Sequence, residues 1–479
     1  MRKVAYFLLS FLFILQGCNS TGDFSQVLED IQENLDFGNL ASVIQVSDSL
    51  KKLRIKDPEV LHVADSLEQI AQRIYLEFPV SDRDEMNQLK KRLETVTSED
   101  VRNWEQKGWL EYKIIDGDKK YFKRAASNLV LLKNFHEQKE KTFLESSKQP
   151  DLMFRLNHTQ KVLDEAGENS KPVVPVRMRV TYTITLQKNT VPDGERIRCW
   201  MPWPRSDNAR QHDIRLLSCS NQNYVISPDT AIHSTIYLEE ISHKDSAAKF
   251  SVSYEYISEA QHFDMDRIRS KPYDKGSVLY RKYTAEQLPN ICFSENVRHL
   301  ADSITGNETD PVKVVRNIWL WFKENIPWAG ALEYSVMPNI PEYVCLNRRG
   351  DCGMQTFLFI SMLRYKGIPV KWQSGWMMPP VYENLHDWSE VYFEGTGWVP
   401  VDASYDLQNS ENPNLRYYFL SGIDAYRLIV NEGVSGPLHP EKQFMRSEPY
   451  DFQRGELEWK GGNIYFDKWD YDMKIEYLP

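Results

Sequence analysis

Arg348-Arg349-Gly350-Asp351-Cys352-Gly353-Met354-Gln355-Thr356-Phe357-Leu358-Phe359-Ile360-Ser361-Met362-Leu363-Arg364-Tyr365-Lys366-Gly367-Ile368-Pro369 is the stretch on which the reading of this chain turns. Gly350 predicts a turn, Asp351 an N-cap, and Cys352 to Lys366 a helix stopped by Gly367. Phe357, Ile360 (or Ser361) and Leu363 are expected to face the core. Cys352 then stands in the first helical turn. There, unpaired backbone N–H groups and the positive end of the helix dipole stabilise a thiolate. The same N–H groups can donate to an oxyanion forming on an attacked carbonyl. Gly-Asp-Cys alone is weak evidence, because a free cysteine packs readily as a small hydrophobe.

The partner signal lies downstream. Leu385-His386-Asp387-Trp388-Ser389-Glu390-Val391-Tyr392-Phe393 alternates as a strand, and His386, Trp388, Glu390 and Tyr392 share one face. Glu394-Gly395-Thr396-Gly397 predicts a turn, after which Trp398-Val399-Pro400-Val401-Asp402 returns antiparallel. Closure at the glycines sets Asp402 near Trp388, on the His386 face, where a carboxylate can reach an imidazole N–H. Nucleophile, base and orienter are thereby all available. Trp388 and Glu390 are expected to support the strand and the site rather than to react.

Together these motifs resemble the core of the transglutaminase-like superfamily over about residues 285–405. The matching features are the Gly-Asp-Cys helix ending in Gly-Ile-Pro, the His-x-Trp-x-Glu-Val-Tyr strand and Gly-Trp-Val-Pro-Val-Asp-Ala. The resemblance implies a papain-like α+β core, with Cys352, His386 and Asp402 as its catalytic Cys, His and Asp. It also implies that Trp328, in Ile326-Pro327-Trp328, stands where some members keep an oxyanion-stabilising aromatic. Trp388 is carried beside it as a substrate-binding candidate. No cofactor is implied, and no calcium ligand set is recognisable. Cys345 and Cys352 are spaced too widely for a zinc knuckle. Arg348 and Arg349 read as solvated turn charges, with attraction of an acidic substrate group as the alternative.

Outward from the core, the expected fold class is α+β: a papain-like transglutaminase core preceded by an antiparallel β-sandwich and an N-terminal, mainly helical region. The expected boundaries are 1–17 signal peptide, 18–26 tether, 27–170 helical region, 171–265 sandwich, and 266–479 catalytic domain with a C-terminal extension. In the helical region Asp57-Pro58 starts a helix, Glu99–Lys107 forms another, and Leu110–Ile115 opens a hairpin turning at Asp116-Gly117-Asp118. A long helix runs from Ala125 to about Glu145. Strands are expected at Val176–Leu186, Arg196–Met201, Ile214–Leu217, Thr235–Ile241 and Ala248–Tyr256, and Arg198 to Pro204 also looks like the β-domain that precedes such cores. Pro311–Asn325 is the strongest helix after them. The tail beyond Tyr405 is expected to pack on the core.

The ends and the bulk set the compartment. Arg2 and Lys3 precede an apolar run from Val4 to Leu15, too short to span a bilayer and suited to a secretory signal. Leu15-Gln16-Gly17-Cys18 resembles a bacterial lipobox, which implies cleavage before Cys18 and acylation of its thiol. The expected location is therefore the cell envelope, lipid-anchored and outside the cytoplasm. Net charge is −10, with no basic tract, which argues against nucleic acid as a partner. Cys199, Cys219, Cys292, Cys345 and Cys352 are too few and odd in number for a disulfide framework, although Cys199 and Cys219 could pair.

The expected chemistry is acyl transfer on amide bonds of a peptide or protein, by hydrolysis rather than cross-linking. A protein-glutamine transamidase is the alternative within that chemistry. An inactive binding or scaffold lipoprotein is the alternative to it.

Overall fold

Asp57 accepts a hydrogen bond from Glu59 N and Pro58 occupies the first helical position, so the helix Pro58–Glu77 starts where its sequence says it should. The computed structural model describes residues 24–52, 57–137, 150–167 and 170–479. The signal segment, Cys18, most of the tether and the far end of the helix begun at Ala125 lie outside the described residues. Two units result, divided between Ala126 and Ser127.

In the first unit, helices Ser25–Asp36, Leu40–Lys52 and Pro58–Glu77 bury Ile31, Leu40, Val43, Leu50, Ala64, Leu67, Ala71 and Ile74, largely at three- and four-residue spacing. The hairpin forms as Tyr112–Ile115 and Asp118–Tyr121, and Val80–Ser81 adds a short third strand. Helix Asp82–Arg92 carries an anomaly. Glu85 is 1% exposed, and both its carboxylate oxygens are buried with no hydrogen-bond partner. Burial pushes its pKa up to about 7, outweighing nearby Arg92.

The folded-state pKa lies above the ordinary ~4.3 of an unfolded glutamate. Its favourable share of stability is therefore complete below pH ~4.3 and lost as pH rises through about 7. Glu85→Gln is expected to match the wild type in urea unfolding near pH 4. At pH 8.5 it should be more stable by about 1–3 kcal/mol. Equal unfolding midpoints at pH 8.5 would rule this out.

In the second unit the sandwich strands appear where the alternation placed them, at Val173–Leu186, Arg196–Pro202, Gln211–Cys219, Thr235–Ile241 and Lys249–His262. Inward residues of both sheets, among them Val180, Tyr182, Ile184, Ile197, Cys199, Ile236 and Leu238, pack in one apolar cluster. Cys199 and Cys219 are both free thiols.

The tail corrects its expected position. Trp469–Leu478 pairs along Val173–Leu186, and Glu456–Trp459 pairs with Arg196–Pro202. It thus returns to complete both sandwich sheets instead of resting on the core alone. Two unpaired sheet edges supply the physical reason, since main-chain N–H and C=O groups at an edge take up a strand wherever one can reach.

The core is a four-stranded antiparallel sheet in the order Gly397–Val401, Asn384–Phe393, Val370–Met377, Arg427–Asn431. Helix Cys352–Tyr365 is its companion, and Asp351 caps it by accepting from Met354 N. Every residue from Gly353 to Arg364 is buried, so the helix is enclosed on all faces instead of presenting one stripe. Phe357 stacks on Trp372 of the sheet at 4.3 Å between ring centroids. Each fully buried Leu, Ile, Phe or Met here contributes ~1.5–3 kcal/mol, which fixes the helix start against the sheet. Trp376, Leu428 and Val430 of the core sheet join the sandwich cluster, so sandwich and core share apolar packing.

Candidate active site

Two elements meet at the sulfur of Cys352. The helix start brings the thiol, and strand Asn384–Phe393 brings Asp387 to it, with His386 one residue earlier on the strand. Gly353 permits the approach: a Cβ there would stand 2.1 Å from Tyr334 Oη and 2.8 Å from Asp387 Oδ2. Tyr334 Oη donates to Asp351 Oδ1 at 2.7 Å and so fixes the capping residue.

The hairpin register pairs Ser389 with Val401, which sets Asp402 level with Trp388, as the glycine turn implied. His386 Nε2 lies 2.7 Å from Asp402 Oδ2. Burial raises the Asp402 pKa, but His386, Arg427 and Ser404 outweigh it and hold the carboxyl well below the ordinary range. An ionised carboxylate only accepts, so Nε2 carries the proton and Nδ1 is left as the basic nitrogen. Burial lowers the His386 pKa more than Asp402 raises it, which keeps the imidazole neutral and able to take a proton.

Asp402 is anchored from several sides. Its Oδ1 accepts from Ser404 N and Oγ at 3.1 and 2.9 Å, and its carbonyl accepts from Trp319 Nε1 at 2.8 Å. Trp319 belongs to helix Pro311–Asn325, which formed as predicted. Arg427 is fully buried, 2.8 Å from Asp424 and 3.4 Å from Asp402. Its guanidinium lies over the rings of Trp388 and Tyr405.

Trp388 is fully buried and nearly parallel to the His386 ring, and its Nε1 donates to Gln373 Oε1 at 2.7 Å. It holds the imidazole from behind, so its pairing with substrate in the sequence reading is corrected: a buried indole with its N–H committed has nothing to offer a ligand. Glu390 ion-pairs with Lys371 at 2.8 Å and with Arg210 of the sandwich at 3.1 Å. Trp328 adjoins the turn before Cys352 through a parallel bridge to Gly350, and it is 45% exposed. Arg349 is 4% exposed and donates to Tyr343 Oη at 2.9 Å, so it is a buried packing group and not a solvated charge.

The thiol itself departs from the expected arrangement. Cys352 Sγ donates to Asp387 Oδ2 at 3.2 Å, and no hydrogen bond joins it to His386. Burial, with the carboxyl groups of Asp387 and Asp351 beside it, holds the thiol well above its ordinary range. Asp387 was visible in the strand motif but points to the opposite face from His386, so alternation alone gave no reason to read it with the site. Arg427, Tyr405 and Asp424 follow no spacing rule and went unread. Beside His386, a cleft of about 80 Å³ is lined by Arg155, His158, Met377, Tyr382, Tyr405 and Tyr426. Helix Pro150–Ala166 supplies the first two, which gives that part of the N-terminal region a place at the site.

Residues 298–403 match the family described as the transglutaminase-like superfamily. The uncharacterized protein YebA of Bacillus subtilis (strain 168) is 26% identical over 172 residues, which are 31% of this chain and 22% of that protein. The matched segment thus spans about a fifth of that relative's length. Among solved structures, a candidate cysteine protease from Cytophaga hutchinsonii is similar at 14% identity, covering 64% of this chain and 92% of its own, with a TM-score of 0.43. The periplasmic domain of TgpA from Pseudomonas aeruginosa is similar at 16% identity, covering 50% of this chain and 90% of its own, with a TM-score of 0.24.

Proposed function

We propose that this chain, whose residues 298–403 form a transglutaminase-like core of the papain-like cysteine enzymes, acts on amide bonds of a peptide or protein through Cys352, His386 and Asp402. Cys352 Sγ attacks the carbonyl carbon while His386 Nδ1 takes the thiol proton. The C–N bond then breaks, and His386 returns that proton to the leaving amine. Water then gives a proton to His386 and attacks the thioester, the S–C bond breaks, His386 passes that proton to the sulfur, and the product is a carboxylic acid. Asp402 holds the tautomer that leaves Nδ1 free. Hydrolysis is favoured over transfer to an amine because water is always present and shielding a thioester from it needs a specific acceptor path. Trp328 is the candidate oxyanion donor, through its exposed indole N–H. The chain works at the cell envelope, held to the membrane by a lipid on Cys18.

The observation that carries this reading is the buried His386–Asp402 pair, on the strand whose next residue touches the Cys352 sulfur. One observation favours the second reading, a binding protein that keeps the fold without turnover: the thiol donates to Asp387 and not to His386.

Iodoacetamide labelling from pH 4 to 9, with peptide mapping of Cys352, separates the two. An assisting imidazole makes Cys352 label faster below pH 7 than a free cysteine of pKa ~8.5, and His386→Ala slows it about tenfold or more. Equal rates in wild type and His386→Ala favour the binding protein.

A further inference from the structure

The Cys352 sulfur has an acid for a neighbour, and that acid has an acid behind it. Asp387 and Asp451 are each 2% exposed, and the chain brings them together: Ser374, opposite Asp387 in the sheet, donates to Asp451, and Gln453, two residues after Asp451, donates to Asp387. Two buried carboxyls in contact cannot both ionise near neutral pH, so the pair retains one proton. The donors around it decide where that proton rests. Asp451 Oδ1 accepts from Ser374 Oγ at 2.5 Å and from Asn431 Nδ2 at 3.0 Å. Arg446 stands near it as a cation, with Glu448 on the same loop. Asp387 accepts from Gln453 Nε2 at 2.9 Å and from the thiol. The charge therefore settles on Asp451 and the proton on Asp387.

The other titratable groups around this point are Asp351, Tyr334 and Tyr382. None of them is a fixed cation, and the cation Arg446 lies against Asp451, so it favours the charge there and not at Asp387.

We propose that Asp387 stands beside the nucleophile as a neutral carboxyl, kept protonated by its pairing with Asp451, so that the sulfur 3.2 Å away can carry the thiolate charge, and that ionisation of the pair shuts the nucleophile down. The inference rests on the reading of Cys352 as nucleophile and His386 as its base. In the resting state the thiol donates to Asp387. Once His386 has taken the thiol proton, the sulfur can only accept, and a neutral carboxyl is the form that can stand beside it or donate to it. An ionised Asp387 opposes that charge at contact distance. The reactive window thus closes on its alkaline side through a carboxyl pair, independently of the imidazole.

The test compares the pH profile of iodoacetamide alkylation of Cys352 in the full chain for wild type, Asp387→Asn, Asp451→Asn and His386→Ala. Asp387→Asn cannot ionise. The ratio of its alkylation rate to that of the wild type should rise about tenfold between pH 5 and pH 9, the change that one unit of thiol pKa gives. Asp451→Asn removes the charge that keeps the proton on Asp387, so its alkylation should fall below wild type from a lower pH onward. A merely structural role moves both variants the same way and by a constant factor. Parallel profiles for wild type and Asp387→Asn, with His386→Ala still slowed, overturn this inference and leave the function standing. A Cys352 insensitive to His386→Ala overturns the function, and the inference with it.

Discussion

Arg427→Met is expected to lower the free energy of unfolding by about 3–5 kcal/mol, because it strands two buried carboxylates that share one cation. Arg427 is fully buried, and Asp402 and Asp424 are 1% and 7% exposed. Met conserves much of the stem and the contact with Trp388 and Tyr405, so the loss is mainly that of charge. At ~2.1 cal/mol/K of unfolding entropy per residue, each kcal/mol moves the melting temperature of a unit of this size by ~1–2 °C, which makes a fall on the order of 5 °C.

The pH dependence separates charge from volume. Burial raises the pKa of both carboxyls, but His386 and Arg427 on Asp402, and Arg427 and His158 on Asp424, bring them below the ordinary value. Their contribution is present above the unfolded pKa of ~3.9 and is lost as pH falls through the folded values. Without the guanidinium both carboxyls hold protons more readily, so acid relieves the variant. The gap between wild type and Arg427→Met should therefore shrink from pH 7 to pH 4 in guanidinium or thermal unfolding. A gap that stays constant over that range assigns the effect to packing.

What the sequence made legible follows from which forces are local. The N-cap at Asp351, the stop at Gly367, the glycine turn at Gly395 and Gly397 and the two-residue alternation of Asn384–Phe393 are all written within a few residues of where they act. They were enough to bring His386 and Asp402 together. Arg427, Asp451 and Gln453 reach the site from loops and strands more than 20 residues beyond Asp402, and an isolated Arg or Asp carries no period. The place of the tail was hidden for a related reason: alternation shows that Trp469–Leu478 is a strand but cannot say which sheet edge is open to it. The all-round burial of the Cys352 helix was legible only as excess hydrophobicity. Phe357, Leu358, Phe359 and Ile360 stand in succession, so their side chains point to every face and leave no polar stripe to orient the helix.

Asp402→Asn should be nearly as damaging to the chemistry as loss of the imidazole, although the shape of the side chain is unchanged. The hydrogen bonds around position 402 leave the amide no choice of orientation. Ser404 N and Oγ both donate toward Oδ1, so the amide oxygen must take that place. Its NH₂ group then occupies the place of Oδ2, 2.7 Å from His386 Nε2 and 3.4 Å from Arg427 Nη2. An amide that donates to Nε2 requires a lone pair there, which moves the ring proton to Nδ1. The nitrogen needed as base is now blocked by its own hydrogen. A tautomer error of this kind in a Ser-His-Asp site costs on the order of 10⁴ in turnover, and the same loss is expected here in hydrolysis of an amide substrate. Alkylation of Cys352 should fall to the level of His386→Ala across pH 5–8, while the melting temperature moves far less than in Arg427→Met, since a neutral side chain still fills the space. Alkylation at the wild-type rate in Asp402→Asn would mean that Nδ1 is not the base and that Asp402 acts only in packing.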